Sequence, residues 1–184
     1  MSVRLALLRL VFPEWLKLLM LNELRRVTAE GFGVAEPRWP GRSFEDRLAA
    51  YAAFTAYEGD LLTAGGDSTA LGAAKERLRR GAMPMGARAR RLLGIRRPEE
   101  ALEAWKLLYR QIGIEVTGDP GSMIEVTRCF FAAYYSEAVC GVIEALDDGM
   151  AAGLFRGAEL AFSERLTAGQ TCCRATLRLE GGEA

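Results

Sequence analysis

The chain has 184 residues with 24 basic and 24 acidic side chains, so its formal net charge is zero, and it contains no histidine. This length fits one domain with a sizeable core, and the balanced charge excludes recruitment to nucleic acid or to an anionic membrane by net charge. The lack of histidine excludes imidazole as a metal ligand or general base, which leaves thiols and carboxylates to carry any chemistry.

Residues 1–21 are strongly apolar, but several charged residues and Pro13 interrupt them. A membrane-spanning helix needs about 20 largely uncharged residues, so this segment is not predicted to span a membrane. No small-residue cleavage site follows, and the cysteines lack the spacing of a secreted disulfide framework, which predicts a cytoplasmic protein with reduced thiols. We expect the segment to pack on the domain or against a second subunit of a homodimer; attachment to a membrane surface is the alternative.

The first half of the chain has the hydrophobic spacing of helices, with glycine and proline where helices are expected to begin or end. Ser43 and Asp46 have the spacing of a capping box. Pro84 is expected to kink or break its helix, because it donates no amide hydrogen and its ring clashes with the preceding turn. The predicted helices run from Glu14 to Glu30, from Ser43 to before Gly65, from Asp67 or Ser68 toward Leu93, and from Pro98 to before Gly113.

From Ile114 onward the spacing changes from helical to alternating, which predicts a sheet. Gly, Asp and Pro residues between the first two strands, and Gly169 between the last two, indicate hairpin turns. Ser136 is placed to cap a helix that lies between the hairpins and runs to about Leu154. The four predicted strands cover residues 114–116, 123–127, 159–167 and 171–180.

These elements predict an α+β fold with two regions. A helical N-terminal region at residues 1–97 precedes a strand-strand-helix-strand-strand region with an antiparallel sheet at residues 98–184. We expect the two regions to form one compact unit.

The positions of three cysteines and two carboxylates on these elements suggest a site. Because side chains alternate across a strand, Cys173 is predicted to face inward and Cys172 outward. Cys140, Glu144 and Asp147 follow the three-to-four spacing of a helix and are predicted to lie on one strip. If the helix covers the sheet, this strip borders a cavity shared with Cys173 and with a glutamate of the third strand.

That glutamate is Glu164, which alternation places on the same face as Leu160 and Phe162. An unpaired carboxylate on an apolar face is costly, so Glu164 needs a cation, a metal or a proton. A retained proton would make it a candidate general acid. The alternative is that the strand lies at an edge of the sheet, where Glu164 reaches water or an arginine.

Two interpretations of the cysteines stay open. As unpaired buried cysteines they would act as small hydrophobic residues without a ligand. As metal ligands, Cys129, Cys140 and Cys173 with Glu164 would form a sulfur-rich tetrahedral set suited to zinc. A nucleophilic thiol is disfavoured, because no histidine can act as its base.

Aromatic side chains follow Cys129 directly, at the junction of a strand and a helix. Their large surface area is typical of a hydrophobic core. The phenols of Tyr134 and Tyr135 are also candidates for orienting a small polar ligand in a mostly apolar pocket.

From about Glu99 to Leu179 the chain resembles the L-2-amino-thiazoline-4-carboxylic acid hydrolase-like family. The resemblance is carried by the segments KLLYRQIGIEV, VTRCFF, VCGVIEALDDGMAAGL and SERLTAGQTCCRATLRL. More distantly, the last segment is similar to the 4-vinyl-reductase-type ligand-binding domain, in which a helix cysteine, a strand glutamate and cysteines near the last turn can hold zinc. The resemblance implies that Cys140, Glu164 and Cys173 are the corresponding residues here, whereas Arg165 stands where the sensor-type pattern has another cysteine.

The resemblance implies a hydrolase that adds water to the C=N bond of a small cyclic amidine or thiazoline-type acid. We predict Glu164 or Asp147 for proton transfer and Arg128 or Arg165 for the substrate carboxylate, with the cysteines named above as ligands of any bound zinc. One alternative is a non-catalytic small-molecule-binding or sensor module with a structural zinc site. Another is a scaffold similar to TRAPP-type assembly subunits, with the N-terminal helices as an obligate interface.

Overall fold

Six helices and a four-stranded antiparallel sheet make up the fold of residues 3–38, 41 and 43–180, the part of the chain that the computed structural model describes. The predicted α+β fold is confirmed. The helices are α1 (Val3–Leu10), α2 (Glu14–Phe32), α3 (Phe44–Ala64), α4 (Ser68–Leu93), α5 (Pro98–Arg110) and α6 (Glu137–Phe155), and the strands are β1 (Ile114–Gly118), β2 (Met123–Cys129), β3 (Glu159–Glu164) and β4 (Cys173–Arg178).

The helix ends follow local capping chemistry. The hydroxyl oxygen of Ser43 accepts a hydrogen bond from the amide of Asp46 at 3.0 Å, and that of Ser136 accepts one from the amide of Val139 at 3.2 Å. The predicted break at Pro84 is wrong, since α4 is continuous from Ser68 to Leu93. The residues on either side of Pro84, Met83 and Ala87, pack closely against Gly153 of α6.

The strands pair in the order β1-β2-β4-β3, so β1 and β3 lie at the edges. Ile124 and Leu177 are buried on the face of the sheet that packs against the helices. The strands of the second hairpin are shorter than predicted, because a 3₁₀ turn at Leu166–Ala168 interrupts the alternation. A second 3₁₀ turn at Phe130–Ala133 connects β2 to the segment before α6.

A β-bulge in β3 changes the orientation of Glu164. Phe162 pairs with Ala175, and the next paired residue is Glu164 opposite Arg174, so Ser163 is the extra residue. Both carboxylate oxygens of Glu164 accept hydrogen bonds from Nη1 of Arg174, at 2.9 and 2.7 Å. The prediction that Glu164 shares the apolar face of Phe162 is therefore wrong, and the alternative of an edge strand with an arginine partner is confirmed.

The buried core contains side chains from both halves of the chain. Leu21 of α2 and Tyr51 of α3 belong to the same hydrophobic cluster as Ile124 and Leu177 of the sheet. Leu5 of α1 is fully buried in this cluster, so one side of the apolar N-terminal segment packs on the rest of the domain. No helix in the described part of the chain combines the length and the apolar character needed to cross a membrane.

Helices α4 and α6 approach each other at glycine residues. A Cβ on Gly153 would lie 2.5 Å from the amide nitrogen of Ala87 and would overlap the carbonyl oxygen of Met83. A Cβ on Gly149 would overlap the carbonyl oxygen of Arg79. The two backbones touch because these positions lack side chains, and this contact fixes the position of α6 over the sheet.

Replacing Gly153 with alanine is expected to lower the free energy of unfolding by roughly 1–3 kcal/mol, because the added methyl forces the two helices apart. Gly141→Ala is the matched control on the same helix, since a Cβ there meets no atom within 4 Å. The control is expected to be neutral or stabilising by up to ~1 kcal/mol, as glycine is a poor helix former. Urea unfolding measures both, and equal effects of the two variants would contradict the role of the crossing.

Candidate functional site

A cavity of about 120 Å³ lies where α6 and the ends of the strands meet the N-terminal helices. Its lining includes Cys129, Cys140, Asp147 and Cys173, so the predicted meeting of Cys140 and Cys173 in one cavity is confirmed. For comparison, an engineered apolar cavity of about 150 Å³ binds benzene. The space therefore fits a ligand the size of one small ring.

The helices of the N-terminal half form a large part of this cavity, which no pattern in the sequence indicates. Apolar side chains of α2 and α4 and the phenol of Tyr51 complete the wall opposite the sheet. The helical spacing of these residues indicated that they are buried, but not what they pack against. The contributing residues are Met20, Leu21 and Leu24 of α2, Tyr51 of α3, and Ala82 and Met85 of α4.

Asp147 is the acidic side chain with the most perturbed pKa in the cavity lining. Burial is the main cause that raises its pKa from 3.8 to about 7, and the neighbouring charges of Glu144 and Asp148 raise it further. The hydroxyl of Tyr109 donates a hydrogen bond to Oδ1 at 2.6 Å, which opposes the shift. The residue as a whole is only partly buried because it faces the cavity, whereas protein atoms surround its carboxyl group. At neutral pH both protonation states of Asp147 are populated, as a general acid or base requires.

The two neighbouring carboxylates are held in ion pairs. Nε of Arg165 donates a hydrogen bond to Oε2 of Glu144 at 3.0 Å, and Nζ of Lys75 lies 3.5 Å from Oε1 of the same residue. Nε of Arg79 donates to Oδ2 of Asp148 at 2.6 Å. Since both neighbours are paired with cations, Asp147 is the acid of this helix segment that faces the cavity with a hydroxyl as its partner.

Hydrogen bonds fix the phenols that line the cavity. The hydroxyl of Tyr51 lies 2.9 Å from Oγ1 of Thr28, and the hydroxyl of Tyr135 lies 2.5 Å from Oγ1 of Thr55. Burial raises the pKa of each of these tyrosines above its ordinary value, so the phenols are neutral and available as hydrogen-bond donors. Both phenols in the wall of the cavity are therefore held by threonines of the N-terminal helices.

The thiols of the cavity are protonated at neutral pH. Burial raises the pKa of Cys129 to about 12 and that of Cys140 to about 11, and it also raises the pKa of Cys173. The sulfur of Cys173 accepts a hydrogen bond from the amide of Leu166 at 3.3 Å. All four cysteines of the chain are free, and these properties fit small buried hydrophobic residues.

The predicted zinc ligand set does not form. Glu164 lies on the opposite face of the sheet, where it pairs with Arg174. In residues 3–38, 41 and 43–180, no group of three or more cysteine, aspartate or glutamate side chains is arranged to hold a metal ion. The chemistry of the cavity therefore has to be derived from Asp147 and its hydrogen-bond partners.

The other predicted site residues divide into two groups. Tyr135 lines the cavity, and Arg165 reaches its edge through Glu144. Arg128 does not line it: the side chain is 74% exposed and pairs with Glu115 at 3.5 Å. Tyr134 is also exposed and outside the lining, because the end of the 3₁₀ turn directs it to the surface. The prediction that Cys172 faces outward is wrong, since the residue is buried directly before β4, outside the cavity lining.

Replacing Asp147 with asparagine is expected to remove part of the pH dependence of stability. Between pH 3.8 and about 7 the folded protein holds a proton on Asp147 that the unfolded chain has lost, so the free energy of unfolding falls as the pH rises through this window. The amide of Asp147→Asn keeps an acceptor for Tyr109 but does not ionise. The variant should therefore gain stability relative to the wild type between about pH 4 and about pH 8 in urea unfolding. A difference that does not change with pH would contradict the raised pKa.

Comparisons with protein-family models, with curated proteins and with solved structures found no match. The resemblance to the hydrolase-like family thus stays a prediction, which the residue segments quoted above carry.

Proposed function

We propose that this protein is a hydrolase that acts on a small cyclic amidine or thiazoline-type acid and that Asp147 is its acid–base group. The observation that carries the proposal is a carboxyl group in a mostly apolar cavity with a pKa of about 7. Among the described residues, no basic side chain forms an ion pair with it. Perturbed titratable groups of this kind are typical of active sites.

In this mechanism Asp147 transfers one proton from water to the substrate. The ionised carboxylate takes a proton from a water molecule while the oxygen of that water bonds to the ring carbon between nitrogen and sulfur. Asp147 then gives this proton to the ring nitrogen, so one water has been added across the C=N bond. The carbon–sulfur bond breaks as the added hydroxyl becomes a carbonyl, and the proton that the hydroxyl loses ends on the departing sulfur.

The carboxylate of the substrate needs a cation near the cavity. Arg165 and Lys75 meet this need, because both approach Glu144, which is part of the lining. The side chain of Arg165 is 20% exposed, so it combines contact with the interior and access to solvent. A planar guanidinium at this place can bind a second carboxylate beside Glu144.

The apolar character of the lining supports a second candidate, a module that binds a small molecule without turnover. Leu21, Leu108 and Ile143 are examples of the side chains that surround the space. Such a pocket binds an apolar ring with few directed polar contacts. This candidate predicts binding without a chemical change in the ligand.

The N-terminal helices support the further proposal that two copies of the chain associate. The basic residues of α1 have protein partners: Nη1 of Arg4 donates to the carbonyl oxygen of Leu92 at 2.9 Å, and Arg9 pairs with Glu103 at 2.8 Å. Because both cations are already paired within the chain, they are not free to bind anionic lipids. The exposed apolar surface of α1 and the start of α2 therefore fits the same surface of a second copy better than an anionic membrane. The apolar side chains on this surface that are more than half exposed are Val3, Leu7, Leu10, Val11, Trp15 and Leu19.

The hydrolase proposal is tested by incubating the purified full chain with 2-amino-thiazoline-4-carboxylic acid and following ring opening by chromatography. We expect kcat/KM to rise with pH toward a plateau above about 7, because the ionised form of Asp147 is the base. Asp147→Asn should lower kcat/KM at least ~100-fold. Glu164→Gln is the matched control and should keep the activity, since Glu164 lies outside the cavity.

Three outcomes would contradict this assignment. Activity that is lost in Glu164→Gln but kept in Asp147→Asn would mean that Glu164, and not Asp147, is the acid–base group. Activity that appears only with added zinc would require a metal. Calorimetric binding of the acid without ring opening would favour the binding module.

The dimer proposal predicts that light scattering at micromolar concentration gives the mass of two chains. Leu7→Glu should shift the protein to the monomer, because it places a charge in the apolar surface. Leu61→Glu, on an exposed position of α3, is the control and should not change the mass. A strictly monomeric wild-type protein would refute the proposal.

A further inference from the structure

A second, smaller cavity of about 50 Å³ lies beside the first. The inner face of the sheet forms one of its walls, through Val116 and Ile124, and Trp105 of α5 forms another. Asp147 lies where the two cavities meet. The residues that line both are Tyr109, Ile114, Cys129, Cys140, Glu144, Asp147 and Cys173.

The indole of Trp105 is buried at this place with an unused donor. The residue is 2% exposed, and its ring packs edge-on against Tyr109 and Phe155 at centroid distances of 5.4 and 6.1 Å. Its Nε1–H is buried and has no hydrogen-bond partner among the described residues. The N–H interacts with the nearby Tyr109 hydroxyl and lowers the pKa of that phenol against the strong rise that burial causes, but the two groups do not reach full hydrogen-bond geometry.

A buried donor without a partner is rare in native proteins and costs roughly 1–3 kcal/mol. The partner that fits here is small. A cavity needs about 10–15 Å³ to hold one water molecule, whereas the engineered cavity that binds benzene has about 150 Å³. At about 50 Å³ the smaller cavity has room for water and not for the substrate ring.

The smaller cavity is mostly apolar, but its lining includes the few polar groups that a water molecule needs, which are two to four partners. Trp105 offers an N–H donor, Asp147 offers carboxylate acceptors, and the thiols of Cys129 and Cys140 complete the set. We infer that this cavity holds one buried water molecule, which accepts a hydrogen bond from Nε1 of Trp105 and donates one to the carboxyl group of Asp147.

The inference deepens the proposed function and, in its catalytic part, rests on it. A water molecule that bridges Trp105 and Asp147 would direct a proton at the base, and it would lie beside the larger cavity because Asp147 lines both cavities. Since Trp105 uses one lone pair of the oxygen, the other is directed away from the indole and can attack the ring carbon. Trp105 is then a positioning residue, because it acts on the substrate only through the water.

A crystal structure of the full chain at about 1.8 Å resolution tests the water site directly. Electron density for one atom is expected within about 3.2 Å of both Nε1 of Trp105 and a carboxylate oxygen of Asp147. The density should be lost in Trp105→Phe, which keeps an aromatic ring but has no donor. A smaller cavity without density, or a direct hydrogen bond from Nε1 to the Tyr109 hydroxyl, would overturn the inference.

Kinetics test the role of this water. Trp105→Phe should lower kcat for ring opening about 10–100-fold, with KM and the midpoint of the pH profile unchanged. Tyr57→Phe is the control and should have wild-type kcat, since Tyr57 is 62% exposed on α3. A rise in KM alone would overturn the positioning role. If the density is present but no ring opening occurs, the proposed function fails while the water site stands.

Discussion

The position of α6 between α4 and the sheet is the constraint on which the rest of the structure depends. Gly149 and Gly153 let the backbone of α6 touch that of α4, and nearer its N-terminus the same helix holds Cys140, Glu144 and Asp147 toward the cavity. Because side chains three and four residues apart share one side of a helix, fixing the helix fixes all three groups together. Displacement of α6 would alter the acid, its neighbours and both cavities at once.

Of the three neighbouring acids on α6, two are paired with cations, and the third, Asp147, has the hydroxyl of Tyr109 as its partner. Arg165 and Lys75 bind Glu144, and Arg79 binds Asp148. The helix thus carries three acids close together without an uncompensated cluster of negative charge. The desolvation that remains acts on Asp147, which explains why its pKa lies near neutrality.

Much of this arrangement could be predicted from the sequence, for a physical reason that also explains the failures. The strip on α6 and the inward Cys173 follow from the periods of a helix and a strand. Glu164 was placed on the wrong face because a single extra residue, Ser163, reverses the alternation, and no residue pattern marks the bulge. The place of Tyr51 in the cavity wall could not be predicted, because hydrophobic spacing indicates which side of a helix is buried but not which residues cover that side.

The wall that α2 contributes has a consequence for how the acidity of the site can change. Met20 and Leu24 carry no charge and lie far from Asp147 in sequence, yet the dry environment that they help to enclose favours the neutral carboxyl. A mutation that admits water there would lower the pKa of Asp147 without changing any residue that is hydrogen-bonded to it. Proteins with this fold could therefore change the pH at which the buried acid titrates by exchanging larger and smaller aliphatic side chains in the first half of the chain.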